Sequence, residues 1–173
     1  WGILTSPRET FADVVARPRW FGMMALVILV TVACTGGFLF TEVGKQAWVD
    51  QAVRSNESFG MQVTDEAYAQ MEKLAQWAPA LTAVNLLIFQ PLVTLVMAGI
   101  LFAVFNAALG GDSSFKQTFA VVVHTSAITL VQQLFVTPLN YVRESMTSAT
   151  NLAVFLPMID ETGFAAKLLG TVD

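Results

Sequence analysis

Charged side chains are scarce in this chain, and their scarcity is the first guide to its class. Only 13% of the 173 residues are charged, whereas 55% are hydrophobic; soluble domains carry about 25% and about 45–50% of these classes. Thirteen acids against nine bases give a formal net charge of −4, which offers no basic surface to a nucleic acid. The composition therefore argues against a soluble domain and against a nucleic-acid-binding module.

Cysteine and histidine are almost absent. The chain contains one cysteine, Cys34, and one histidine, His124. It can therefore form no internal disulfide and offers no His/Cys cluster for a metal. A serine hydrolase needs a histidine oriented by an acid, and no G-x-S-x-G motif occurs. The segment ALGGDSSFK at 108–116 lacks the GK[ST] ending of a phosphate-binding loop. We expect no catalytic site, no cofactor and no metal.

Three long runs carry no Asp, Glu, Lys or Arg: residues 20–40, 74–111 and 117–142. At about 1.5 Å per residue, the first run is about 31 Å long, the thickness of a bilayer's hydrocarbon core. We therefore predict an all-α polytopic helical membrane protein with transmembrane helices at 20–40, 80–109 and 117–138. Pro91 predicts a kink in the second helix.

The residues before the first run predict an interfacial amphipathic helix over 5–17. Ser6 followed by Glu9 is a capping-box pattern, and Pro7 suits the first helical position. The sequence Arg17-Pro18-Arg19 then ends the helix, so that it lies flat on the membrane before the chain enters the bilayer.

The segment 41–79 predicts an extracytoplasmic helical hairpin. Thr64 is placed to cap its second helix, on which Tyr68 and Met71 share one face with Leu74 and Ala75. The turn is expected at SNESFG, residues 55–60. The hairpin is acidic, whereas arginines adjoin the first span, so the positive-inside rule places the N-terminus in the cytoplasm and the hairpin outside.

The tail 143–173 is expected on the same side as the hairpin. Its apolar stretch at 152–159 is too short to span a bilayer and contains Pro157, which is typical of an interfacial or re-entrant segment.

Polar residues within the spans are the candidate functional residues. His124 lies about 12 Å into the membrane, counting about 1.5 Å per residue from Lys116. It is either part of a proton path or a neutral imidazole bonded to a neighbouring helix, and no span contains an acid to complete a path. Amides in lipid seek partners on other helices. The span amides either pack against other helices of this chain or contact another membrane protein. On the second interpretation the partner-contact candidates are Gln90, Gln132 and Gln133, and in the hairpin Tyr68 and Met71.

Several segments together resemble the YIP-domain family, the Ypt/Rab-interacting membrane proteins, in a bacterial-type form. They are ILTSPRETFADVVARPRW, VFNAALGGDSSFKQTFAVVVHTSAI, TNLAVFLP and LLGTVD. The resemblance covers almost the entire chain, 1–173, as a single domain. It implies five transmembrane helices, of which the last two would follow LLGTVD, and it implies no catalytic residues. Eukaryotic members act in vesicle traffic with small GTPases, but the long cytoplasmic arm of those members is not visible here.

Two functions follow as hypotheses. Some bacterial members of the family are associated with ABC exporters that work with periplasmic adaptors, so the first is a non-catalytic accessory or scaffold subunit that packs against such a complex in the inner membrane. The second is a small transporter or channel that uses His124 and the polar span residues.

Overall fold

The structure, a computed structural model, describes residues 2–146, and over that range it contains helices and no strand. The predicted all-α class is confirmed. Most of the predicted tail, including the stretch at 152–159, lies outside the described residues. The helices are α1 (Gly2–Thr5), α2 (Pro7–Ala16), α3 (Phe21–Leu39), α4 (Glu42–Ser58), α5 (Asp65–Ala75), α6 (Ala78–Ala103), α7 (Phe115–Thr125) and α8 (Ala127–Arg143), with a π-helical turn at Val104–Ala108.

Within residues 2–146, three segments are long and apolar enough to cross a membrane: Phe21–Leu39, Ala78–Ala108 and Phe115–Arg143. Their number matches the three predicted spans. Pro91 lies inside α6 without ending it. One turn later the Thr94 hydroxyl donates to the Gln90 carbonyl at 2.7 Å.

The third span differs from the single helix expected over 117–138, because it is interrupted at Ser126 between α7 and α8. The side chains of His124, Thr125 and Ser126 each donate to the carbonyl four residues earlier, at 2.7, 2.9 and 3.2 Å. Such back-bonding competes with the backbone ladder and bends helices. Three consecutive residues of this kind explain a break that hydropathy alone does not reveal.

The predicted Ser6 cap is wrong, since the Ser6 side chain makes no capping hydrogen bond. The helical turn α1 precedes it, and the Ser6 N–H donates to the Gly2 carbonyl at 2.8 Å. The Ser6 carbonyl in turn accepts from the N–H and the hydroxyl of Thr10, at 3.1 and 3.0 Å. Ser6 itself is not helical, with a φ of −143° and a ψ of 63°, and its backbone N–H and carbonyl link α1 to α2.

The chain divides into two compact units. Among the described residues, the first comprises residues 2–36 and 80–133, and the second comprises residues 37–79 and 134–146. The core of the first unit is formed by buried Met24, Ala98, Phe119 and Val123. Trp20 packs edge-on against Phe119 with ring centroids 5.2 Å apart, so the start of α3 is fixed to α7.

The second unit contains the helical hairpin formed by α4 and α5. Phe38, Leu39, Ala47 and Ala78 form its buried core, with Met146 packed against it. Thr41 caps α4 by accepting from the Gly44 N–H at 3.0 Å. This core holds the base of the hairpin to the end of α3.

The hairpin turn lies at 59–64 rather than at the expected 55–60, because α4 continues to Ser58. Within the expected turn, Asn56 donates to the Ala52 carbonyl at 2.8 Å and Ser58 to the Ser55 carbonyl at 2.7 Å. These side chains satisfy helix carbonyls instead of breaking the helix, and the chain reverses only near Gly60, whose φ is +78°.

Candidate partner-contact sites

The three amides predicted to contact a partner all lie in the first unit. Gln132 on α8 is exposed, whereas Gln90 on α6 and Gln133 on α8 are half-buried. Gln133 already has an interaction partner within the chain. Asn85 on α6 is a further exposed amide. Gln132 and Asn85 are therefore the span amides most open to another helix.

The second span is the least covered of the three. Only 11% of its most apolar window is buried, against 28% for the first span. Leu87, Ile88 and Val93 are each more than half exposed, at 57%, 58% and 60%. Such apolar side chains are stable in contact with lipid and need no protein partner. An amide on the same surface needs a hydrogen-bond partner, which lipid chains cannot provide. An exposed amide on a span is therefore a better indicator of a contact with another helix than an exposed apolar side chain.

Tyr68 and Met71 lie in the second unit, and both are half-buried. The Tyr68 hydroxyl accepts from the Gln46 side-chain amide at 3.1 Å, which ties α5 to α4. Leu74, expected on the same face, is instead 49% exposed, while Ala75 is buried. Tyr68 therefore holds the hairpin together, and Leu74 is a more accessible apolar contact than either predicted residue.

A polar cavity of about 480 Å³ lies between the two hairpin helices. Glu42 and Glu72 line it, together with Lys45. Lys45 pairs with Glu42 at 2.7 Å, and the Glu42 side chain is 89% exposed. A pair this open to solvent contributes little to stability, and the cavity remains an acidic surface feature of the hairpin.

His124 is half-buried on α7. Its Nδ1 lies 2.7 Å from the Ala120 carbonyl, so it donates within its own helix rather than to the neighbouring helix that the sequence led us to expect. Within residues 2–146, no group of three or more His, Cys, Asp or Glu side chains could hold a metal.

The turn that joins the second and third spans is a hydrogen-bonded unit that sequence reasoning missed. The Asn106 amide donates to the Ser113 carbonyl at 2.6 Å and accepts from the Ser113 N–H at 3.2 Å. Gly110 has a φ of +71°, and a Cβ at Gly111 would lie 2.9 Å from the Phe105 carbonyl oxygen. The signal was the Gly-Gly pair itself, because these two positions need glycine.

Gln117 joins this turn to the N-terminal helix. Its Oε1 accepts from the Ser114 N–H at 2.8 Å, which completes the predicted capping box of α7. Its Nε2 donates to the Val15 carbonyl at 3.1 Å, a group in the last turn of α2 that lacks a helical partner. One amide therefore caps the beginning of α7 and the end of α2.

Comparison with curated proteins and with solved structures gives no match for this chain. A family model, the Yip1 domain, matches residues 1–172. The match spans both compact units and contains α2, all three span segments and the hairpin. The chain belongs to the Yip1 domain family, as its sequence motifs predicted.

Proposed function

We infer that the protein is a non-catalytic membrane subunit that packs against another membrane protein complex. The observation that carries this proposal is the exposure of Asn85 and Gln132 on helices long and apolar enough to span a bilayer. Burying an amide in an apolar environment without a hydrogen-bond partner is unfavourable by about 1–3 kcal/mol as judged from mutations in proteins. Transfer from water to a hydrocarbon solvent gives a larger penalty of several kcal/mol. The two further spans that the family resemblance implies can cover part of this surface, and a polar group on a second protein removes the penalty for an amide that they leave exposed.

An ABC-type exporter is the partner that the family resemblance favours. In this arrangement the spans contact the exporter within the bacterial inner membrane, and the hairpin faces a periplasmic adaptor. Arg17 and Arg19 directly precede the first span, which supports a cytoplasmic N-terminus. The polar cavity of the hairpin, which Glu42 and Glu72 line, would then face the periplasm.

The first test is purification of the full-length tagged protein from its native host in a mild detergent, followed by mass spectrometry of associated proteins. A stoichiometric exporter or adaptor supports the proposal. A protein that is recovered alone, across several mild detergents and after cross-linking in intact membranes, contradicts it.

We predict that Gln132→Leu weakens the complex while the protein stays folded, because Gln132 is exposed among the described residues and its loss then removes a contact to the partner. Interhelical hydrogen bonds in membranes contribute about 0.6 kcal/mol on average and up to about 1.7 kcal/mol. The recovered partner should fall roughly 3- to 20-fold. Gln132→Asn keeps the amide and should retain most of the binding. If Gln132→Leu recovers as much partner as the wild type, Gln132 is excluded as a contact.

The alternative function is a small transporter or channel, and the break at Ser126 is the observation that favours it. Discontinuous helices line the binding sites of many transporters, and His124 lies beside this break. Our proposal predicts that vesicles containing the wild type and His124→Ala have the same proton permeability, measured with an entrapped pH-sensitive dye. A proton flux that the wild type adds and His124→Ala removes would establish the alternative.

A further inference from the structure

An apolar cavity of about 180 Å³ lies within the first unit, between α2, the end of the second span and α7. Its apolar wall comes from Val15, Leu101, Phe105, Val121 and Val122. Enclosed cavities of about 150 Å³ with aliphatic and aromatic walls accept small hydrocarbons, and this cavity is open to the outside of the first unit, so its entrance admits a longer chain. This cavity therefore suits an alkyl group better than water.

The polar residues around the cavity are already satisfied within the chain. Gln117 uses both ends of its amide, on Ser114 and on Val15. The Ser113 hydroxyl donates to Asn106 Oδ1 at 2.9 Å, and the Thr118 hydroxyl lies 3.4 Å from the Ser114 carbonyl. Because these wall groups are already hydrogen-bonded, none of them needs a polar ligand inside the cavity. Any selectivity between ligands must therefore come from charged residues near its entrance.

The rim is basic. Lys116 precedes Gln117, and Arg17 and Arg19 follow Val15 closely in the sequence. All three are exposed, and none forms an ion pair within the part of the chain that the structure describes. The acids closest in sequence are Asp13 and Asp112, which leaves the rim with a net charge of +1. Because Gln117 binds the Val15 carbonyl, the long side chains of Arg17 and Lys116 emerge from neighbouring points of the first unit.

The depth of the cavity fits a lipid. The first span begins at Phe21, the second ends at Ala108 and the third begins at Phe115. The cavity thus lies where spans begin and end, at the boundary between acyl chains and headgroups. Trp20, packed on Phe119, is an aromatic residue of the kind enriched at this depth.

We propose that the cavity and its rim form a binding site for one anionic phospholipid, with part of an acyl chain among Val121, Val122 and Leu101 and the phosphate on Arg17 and Lys116. A free phosphate would leave the apolar cavity unused. A zwitterionic lipid would bring its own positive charge to the basic rim and leave part of the rim charge uncompensated. The ligand that satisfies both features carries a hydrocarbon chain and a negative headgroup, and the site does not depend on the proposed protein partner.

Native mass spectrometry of the full-length, delipidated protein, titrated with phosphatidylglycerol or phosphatidylcholine, tests this site. We expect one phosphatidylglycerol to bind about tenfold more tightly than phosphatidylcholine. The double variant Arg17→Gln/Lys116→Gln should remove that preference, whereas Lys73→Gln in the hairpin should not. Val121→Trp should fill the cavity and abolish retention of either lipid, whereas Val93→Trp, exposed on α6, should not.

Three results would overturn the proposal. They are equal binding of the two lipids by the wild type, unchanged phosphatidylglycerol binding in the double charge variant, and displacement of the lipid by inorganic phosphate at equal concentration. If Val121→Trp does not fold, as judged by circular dichroism, the smaller Val121→Phe replaces it. Unchanged lipid retention in a folded Val121→Phe protein would likewise exclude the cavity as the acyl site.

Discussion

Gly44→Ala will destabilise the second unit more than any other single-methyl change that we can identify there. A Cβ at Gly44 would collide with the carbonyl group of Phe38 and lie 2.9 Å from the Leu39 Cα. These are backbone atoms, which cannot move aside by a side-chain rotation, so α4 must shift away from the end of α3. Overpacking of this kind is unfavourable by about 1–3 kcal/mol.

The measurement is thermal unfolding of the full-length protein in detergent, followed by circular dichroism. One kcal/mol corresponds to about 2–4 °C for a chain of this size, so we expect the midpoint to fall by several degrees. Gly37→Ala is the matched control: Gly37 lies in α3 of the same unit, is exposed, and has open space where the methyl group would go. Alanine is favoured over glycine in a helix interior by about 1 kcal/mol, so the control should be neutral or more stable. Equal effects of the two variants would contradict the close approach of α4 and α3.

The features that the sequence predicted correctly depend on short stretches of chain. The three span segments follow from uncharged runs of sufficient length. The caps at Thr64 and Ser114 involve groups three residues apart: Thr64 accepts from the Ala67 N–H at 3.3 Å, and Ser114 and Gln117 form the expected capping box. Bonds of such short range are encoded almost entirely by local residue order.

The features that could not be predicted from the sequence depend on residues that are distant in the chain but adjacent in the fold, or on competing local hydrogen bonds. Gln117 and Val15 are 102 residues apart, and no local pattern pairs them. Gly44 reads as an ordinary helical glycine until Phe38 is placed beside it. Ser6 matched a capping rule, but the turn of helix that precedes it bonds to the Ser6 N–H, and the Ser6 side chain makes no capping hydrogen bond.

The candidate contacts show the same limit. Tyr68, Met71 and Leu74 share a spacing that predicts one face of α5, yet Leu74 is exposed and the Tyr68 hydroxyl bonds to Gln46 on α4. Helical periodicity indicates which side chains lie on one side of a helix. It does not indicate how far the neighbouring helix covers that side, and this coverage decides which residues remain for a partner.

Gln117→Glu will release α2 from α7 while leaving α7 intact. A glutamate retains an oxygen that accepts from the Ser114 N–H, and a negative charge is favourable in the first turn of a helix. It has no N–H to donate to the Val15 carbonyl, and instead it places a carboxylate beside that oxygen. Leaving a carbonyl unsatisfied is unfavourable by about 1–3 kcal/mol, and here repulsion adds to that loss.

Hydrogen exchange of the full-length protein, read by mass spectrometry, separates the two helices. Exchange of the α2 amides should rise about 5- to 150-fold, as about 1–3 kcal/mol of lost protection implies, while exchange in α7 stays unchanged. Gln70→Glu, an exposed position on α5, controls for the added charge. Gln117→Met removes both roles of the amide and should raise exchange in α2 and at the start of α7. If α2 stays protected in Gln117→Glu, its docking depends on the apolar contact of buried Val14 rather than on the amide. The amide would then act only as the cap of α7.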